Sequence, residues 1–263
     1  MVVLDSTIVY VALPSIDEAL GFSAGGLQWV MSAYLLTFGG LLLLGGRSAD
    51  LLGRRRMFMI GVGLFAAASL VCGFAWSDQV LVAARVVQGV AAAIMAPTAL
   101  SLLMTVFEEG PERNRALGIW GGIGGVGATS GLLIGGPVTE GLGWEWVFFI
   151  NVPIALGVLA LCPMLLPESR APVTGRVYDV VGAVTITSAL VLVVFAVSEA
   201  PEAGWISAQT IGSLLAAAVL IASFLRIETR SVAPLVPCAS FVRGLWSAAT
   251  SSCSPPAPPS MGC

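Results

Sequence analysis

Long apolar stretches broken by short polar ones dominate the chain, and the polar residues inside them do not recur at helical spacing. A membrane-spanning helix takes about 20 mostly apolar residues. Eight stretches approach that length: 1–20, 28–46, 57–76, 80–106, 116–139, 146–166, 180–198 and 210–227. Glycine, proline and charge punctuate them, in "GFSAGG", "RSADLLGRRR", "FEEGPERNR" and "PESRAPVTGRVYD" among others. A water-soluble helical protein would need a polar face on most helices. Runs such as "FGGLLLLGG" and "ALVLVVFAV" offer none. The pattern therefore predicts an all-α transmembrane fold.

The arginines give this reading a direction. Arg47, Arg54, Arg55 and Arg56 lie between the second and third spans. Arg113 and Arg115 follow the fourth, Arg170 and Arg176 the sixth, and Arg226, Arg230 and Arg243 end or follow the eighth. The connections after spans one, three, five and seven hold no Arg or Lys. Basic residues concentrate in cytoplasmic loops of membrane proteins, so the Arg-bearing connections are expected to face the cytoplasm, in a multi-pass protein of the cell membrane. One invented or missed span would scramble this alternation. Arg85 alone falls outside the connections.

Composition agrees with lipid as solvent: 57% of the 263 residues are hydrophobic and 10% charged, with a mean hydropathy of +0.95. A soluble chain carries nearer a quarter charged. The net charge of -3 is small and points to no acidic or nucleic-acid partner, and no nucleic acid is expected. Histidine is absent, which excludes a His-based metal site or catalytic dyad, and no nucleophile–base set points to an enzyme. No cofactor is expected. Of the five cysteines, none forms a C-x-x-C pair, and Cys72 and Cys162 read as small buried hydrophobes. No cleavable leader is expected, because the chain opens inside an apolar stretch. Residues 228–263 turn Ser/Pro-rich and read as a disordered tail.

Chemistry concentrates at few positions. A charge at the bilayer centre costs about 2.5–3.5 kcal/mol on insertion scales, so it tends to face an internal cavity. Arg85 sits in "ARVVQGVAAAIMAP" and either faces such a cavity or snorkels to the outer surface. Asp5 is either a helix N-terminal carboxylate favoured by the dipole or, with residues upstream, a charge deep in the membrane. Desolvation and a neighbouring cation act on a carboxylate in opposite directions, and a group balanced between them can carry a proton. Between spans two and three, G-x-x-x-D-x-x-G-R-R assembles Gly46, Asp50, Gly53, Arg54 and Arg55 in one short connection. Its glycines permit a tight turn, and Asp50 can cap a helix or pair with arginine. The fifth span holds "GGIGGVGATSGLLIGGP", where Gly122, Gly124 and Gly127 match a dinucleotide-binding spacing. That reading fails because no strand precedes it. Gly127, Gly131 and Gly135 instead make a small-residue face for close helix packing, with Pro137 expected to kink or end the helix.

Taken together, these motifs resemble the major facilitator superfamily, and within it the fourteen-helix drug–proton antiporter branch. "LDSTIVYVALPSI" is similar to that branch's first-helix signature, "GRSADLLGRRR" to the superfamily's loop motif, and "RVVQG" to its fourth-helix motif. "GVGATSGLLIGG" is similar to the antiporter motif of helix five, and "WEWVFFINVP" to the region near helix six. The resemblance runs from Met1 to about Arg243. It implies proton coupling by Asp5 and Arg85, with Gln88 and Gly89 completing the fourth-helix motif. It implies conformational gating by Gly46, Asp50, Gly53, Arg54 and Arg55, and a packing face of Gly127, Gly131, Gly135 and Gly136. Leu132 stands where the family commonly has proline.

The implied organisation is a six-helix amino-terminal bundle over 1–167, a cytoplasmic linker over 168–179, two further transmembrane helices over 180–227, and the tail. Its partners would be the lipid bilayer, a small hydrophobic or amphiphilic substrate, and protons, with the proton gradient as energy source. Because alternating access needs two units moving about a central site, the resemblance also implies a carboxy-terminal bundle, expected to be missing from this chain. The expected function is proton-coupled export; the alternative is a truncated, transport-inactive membrane fragment.

Overall fold

The structure is a computed structural model that describes residues 1–22, 26–166, 168 and 180–228. Among these residues the chain is helical without strands: α1 (Val2–Leu20), α2 (Gly26–Leu52), α3 (Arg54–Gly73), α4 (Asp78–Val106), α5 (Pro111–Leu142), α6 (Trp146–Phe149), α7 (Asn151–Leu165), α8 (Val180–Ala203) and α9 (Ala208–Glu228). The tail beyond 228, and the linker except Glu168, lie outside the described residues. So do Arg170, Arg176, Arg230 and Arg243.

By length and composition, six segments among the described residues can cross a membrane: α2, α3, α4, α5, the stretch Trp146–Leu165, and Ala208–Arg226 of α9. Helix α1 is not among them, since it carries Asp5, Asp17 and Glu18 in 19 residues. In α8, the described apolar part is Val184–Val197.

Three boundaries differ from the sequence expectation. Residues 47–56, read as a loop, are helical except for Gly53, where φ of 109° breaks α2 from α3. A helix need not stop where the hydrocarbon does, and here Asp50 and Arg54 pair one turn apart across the break. Gly53 takes a backbone conformation that side-chain-bearing residues rarely adopt. The sixth span is broken at Ile150. Pro153 lacks the N–H that would bond the Phe149 carbonyl four residues back, and its ring crowds that carbonyl. Pro137 does not end its helix, because α5 runs on to Leu142.

Helix α4 is the centre of the bundle. It packs along α2 and α3, α1 lies along α5, and α7 closes against α3. The α2–α4 contact depends on two glycines that face each other's helix. A Cβ at Gly89 would collide with the Thr37 hydroxyl and the Tyr34 carbonyl, and one at Gly45 with the Ala93 carbonyl. Small residues let backbones approach this closely. The α8–α9 hairpin leans on α2, where Val191 fills the space left by Gly40 and Phe195 tilts against Trp29 at 6.3 Å. Two apolar clusters form the interior, one around Ile8, Val30, Leu81 and Phe148, the other around Val62, Phe65, Ala92 and Met95.

Candidate functional site

A knot of polar side chains lies between those apolar clusters. Asp5, Ser69, Arg85, Gln88 and Asn151 are each 0% exposed, although they come from α1, α3, α4 and α7. Arg85 Nη1 donates to Asp5 Oδ2 at 2.6 Å. The same nitrogen donates to Gln88 Oε1 at 2.9 Å, while Nε donates to the Val30 carbonyl at 3.0 Å. Snorkelling is therefore excluded for Arg85, which turns inward. Its guanidinium carbon stands 4.2 Å from the centroid of the Tyr34 ring, a cation–π arrangement. The Asp5 carboxylate takes two further donors on Oδ1: Asn151 Nδ2 at 2.9 Å and Gln88 Nε2 at 3.4 Å. Gln88 Nε2 also reaches Ser69 Oγ at 2.7 Å, and Cys72 Sγ donates to Gln88 Oε1 at 3.3 Å.

Local sequence explains why the knot forms. Arg85 and Gln88 are three residues apart on α4, so both face α1 from one side of the helix. Gly89 beside them lets α2 come close enough to offer the Val30 carbonyl and the Tyr34 ring. On α5, Gly127, Gly131 and Gly135 all face α1. A Cβ at Gly131 would strike the Thr7 hydroxyl, one at Gly135 would press on Val11 at 3.1 Å, and one at Gly127 would meet Leu4 at 3.8 Å, an ordinary contact. Gly136, expected on the same face, lies off it with open space around it. At 3.6 residues per turn, its neighbour Gly135 takes that place. The glycine face thus holds α1, and with it Asp5, against the bundle.

Arginine-rich contacts gather at another place. Arg54 donates to Asp50 Oδ1 from Nε at 3.1 Å and Nη2 at 3.0 Å, and also to the Thr105 hydroxyl of α4. Arg55 donates to the Leu166 carbonyl at 3.1 Å and pairs with Glu168 at 3.7 Å. Arg113 reaches the carbonyls of Phe107 at 3.0 Å and Met104 at 3.2 Å, and Glu109 at 3.1 Å. Cations are favoured at the carbonyl end of a helix, and Arg55 and Arg113 sit there on α7 and α4. A Cβ at Gly46 would meet Pro97 at ordinary van der Waals distance, 3.5 Å. These contacts tie the ends of α2, α4 and α7 to the starts of α3 and α5. A nearby cavity of about 260 Å³ is lined by Phe58, Ala99, Leu102, Leu103, Val106, Phe107 and Leu166.

The Major Facilitator Superfamily matches residues 1–227. The chain belongs to that superfamily. It is 45% identical over 239 residues to the puromycin resistance protein Pur8 of Streptomyces alboniger, a match covering 90% of this chain and 47% of that protein. It is 44% identical over 239 residues to the cephamycin export protein CmcT of Amycolatopsis lactamdurans, covering 90% of this chain and 49% of that one. The chain thus spans about half the length of the curated relatives it matches. Among solved structures, the POT family transporter PepTSo superposes with a TM-score of 0.55 at 14% identity, over 84% of this chain and 50% of that chain. At such low identity the likeness speaks for the fold alone. A multi-pass helical membrane protein of the major facilitator type is what the chain builds.

Several residues of the site were not singled out in the sequence. Ser69 and Tyr34 sit in apolar runs of α3 and α2, where nothing in their spacing separates them from ordinary helix residues, while Cys72, expected as a small buried hydrophobe, is buried and also donates to Gln88. Asn151 had a visible signal, as an amide inside "VFFINVPIAL" where a lipid-facing position would be costly. Gly45, which meets α4 backbone to backbone, was hidden beside Gly46. Among the described residues, no cluster of His, Cys, Asp and Glu has the makings of a metal site.

Proposed function

We propose that this chain supplies the amino-terminal bundle and two further helices of a proton-coupled exporter, which moves small hydrophobic or amphiphilic compounds such as antibiotics outward. The observation that carries this reading is the fully buried Asp5–Arg85 pair, a titratable carboxylate and its counter-ion held in a dry interior. Ionisable groups inside a membrane are costly, and such pairs characterise proton and ion pathways. A proton arriving on Asp5 removes the charge that holds Arg85 Nη1 and frees the guanidinium to release α1. That is a packing change driven by a proton. Each charge crossing 100 mV supplies about 2.3 kcal/mol, enough to bias such a change. The names of Pur8 and CmcT, for puromycin resistance and cephamycin export, support antibiotics as the substrate class.

In this reading residues 1–167 form the bundle, 168–179 the linker, 180–227 the two further helices and 228–263 a tail. The Arg-bearing ends face the cytoplasm from the cell membrane, which accords with the alternation of arginines. Asp50, Arg54 and Arg55, with Gly46 and Gly53, gate movement against a carboxy-terminal bundle. A second reading, a transport-inactive membrane fragment, is favoured by one observation: the match covers only about half of the relatives' length.

Puromycin accumulation tests both. Cells deficient in exporters, expressing this chain together with a relative's carboxy-terminal bundle, should accumulate less puromycin than control cells. A protonophore or Asp5→Asn should restore accumulation. Unchanged accumulation counts against export. For the chain alone in lipid vesicles, puromycin-dependent proton flux would overturn the inactive-fragment reading.

A further inference from the structure

We propose that Asn151 is a positioning residue for proton coupling, whose side-chain amide donates to Asp5 when the carboxylate is charged and turns to accept from Asp5 when it is protonated. This rests on the reading of Asp5 as the proton carrier. A neutral carboxyl bears an O–H that, in a dry site, is costly unless some acceptor takes it. Three side chains bond the Asp5 carboxylate, and they differ in what they can accept. Arg85 has donors only. Gln88 has an acceptor, but Oε1 already receives Arg85 Nη1 and Cys72 Sγ, and Nε2 is committed to Ser69. Turning that amide would break three bonds and set its NH2 against the guanidinium. Asn151 is different. Its Nδ2 bonds Asp5 Oδ1 at 2.9 Å, while its Oδ1 is buried and has no partner. Rotation of the amide exchanges donor for acceptor and breaks no bond except the one to Asp5.

The amide is also well placed to pass the change on. Asn151 is the first residue of α7, directly after the break at Ile150, so it joins the charge on α1 to the start of a helix packed on α3. The titratable groups that act on Asp5 from the surrounding elements are Arg85 of α4, Tyr34 of α2, Cys72 of α3 and the amino group of Met1. From α5, the neighbours of α1 are the glycines at 127, 131 and 135. Of the side chains bonded to Asp5, Asn151 alone can serve both of its protonation states.

The test exploits composition, since the chain contains only two asparagines, Asn114 and Asn151. With isotope-labelled asparagine, the 263-residue chain in lipid nanodiscs yields two side-chain amide signals, and Asn114→Gln assigns them. From alkaline to acid pH, the Asn151 signal should move in step with the Asp5 carboxyl carbon, read with labelled aspartate, and Asp5→Ala, which adds no asparagine, should abolish the movement. An Asp5 carbon that titrates while the Asn151 amide stays in place would overturn the inference and leave proton coupling intact. An Asp5 carbon that never titrates defeats the proton-coupling reading, and this inference with it. Because the decisive signal is read in the unmutated chain, misfolding of a variant cannot mimic it.

Discussion

The chain uses arginine–carboxylate pairs in two places, with opposite consequences. Between α1 and α4, Asp5 and Arg85 are both 0% exposed and share their bonds with Gln88 and Asn151. Where the helix ends gather, Arg54 and Asp50 keep 21% and 32% of their side-chain surface, and Glu109, partner of Arg113, keeps 90%. Coulomb attraction between exposed charges is weakened by water and salt, so such pairs contribute about 0–1 kcal/mol. In a dry interior, the loss of one partner strands the other, at about 3–5 kcal/mol. The same chemistry is therefore a strong buried tie in one region and a weak surface clasp in the other, and the proposed function makes the buried tie the proton-sensitive one.

The comparison sharpens with substitutions of decreasing effect. Arg85→Ala should cost about 3–5 kcal/mol in unfolding experiments in mild detergent, since Asp5 is then a buried charge without its cation. A cost like that of a surface pair would show that water reaches the site. Gly89→Val should come next, at about 1–3 kcal/mol, because the added methyls meet Thr37 and the Tyr34 carbonyl of α2. Gly136→Ala is its control, with open space at that position, and should stay within about 0.5 kcal/mol of the unmodified chain. Arg54→Gln should change stability by less than about 1 kcal/mol, an effect that shrinks as salt is added. Salt-insensitivity at Arg54 would mean its bond to Thr105, not the pair with Asp50, dominates.

Much of this was legible in the residues themselves, for reasons that differ by element. Helices α3 and α4 stand near their expected places because continuous apolar runs leave no other solvent for them. Asp5 and Arg85 were singled out because a charge within an apolar run demands a partner. That Arg85 turns inward was the expected course for a charge in an apolar run, though snorkelling stayed open until packing decided. The polar tract 47–56 misled because polarity marks the edge of the hydrocarbon and not the end of a helix; only Gly53 breaks the backbone. The break at Ile150 was present in Pro153 but outweighed by the apolar run around it. Gly136 failed for a simpler reason: in a run of glycines, spacing alone leaves open which residue of an adjacent pair faces the neighbour. Ser69 and Asn151 belong to the site through contacts that exist only once four helices have come together.

The central claim is that Asp5 and Arg85 hold each other in a dry interior, and a double-substitution cycle tests it most directly. Unfolding of the chain, Asp5→Asn, Arg85→Gln and the double variant would be measured in the same lipid–detergent mixture. The account predicts strong coupling: the double variant should be more stable than the summed single costs imply, by at least about 1.5 kcal/mol. Costs that simply add would contradict it, for then the two charges do not depend on each other.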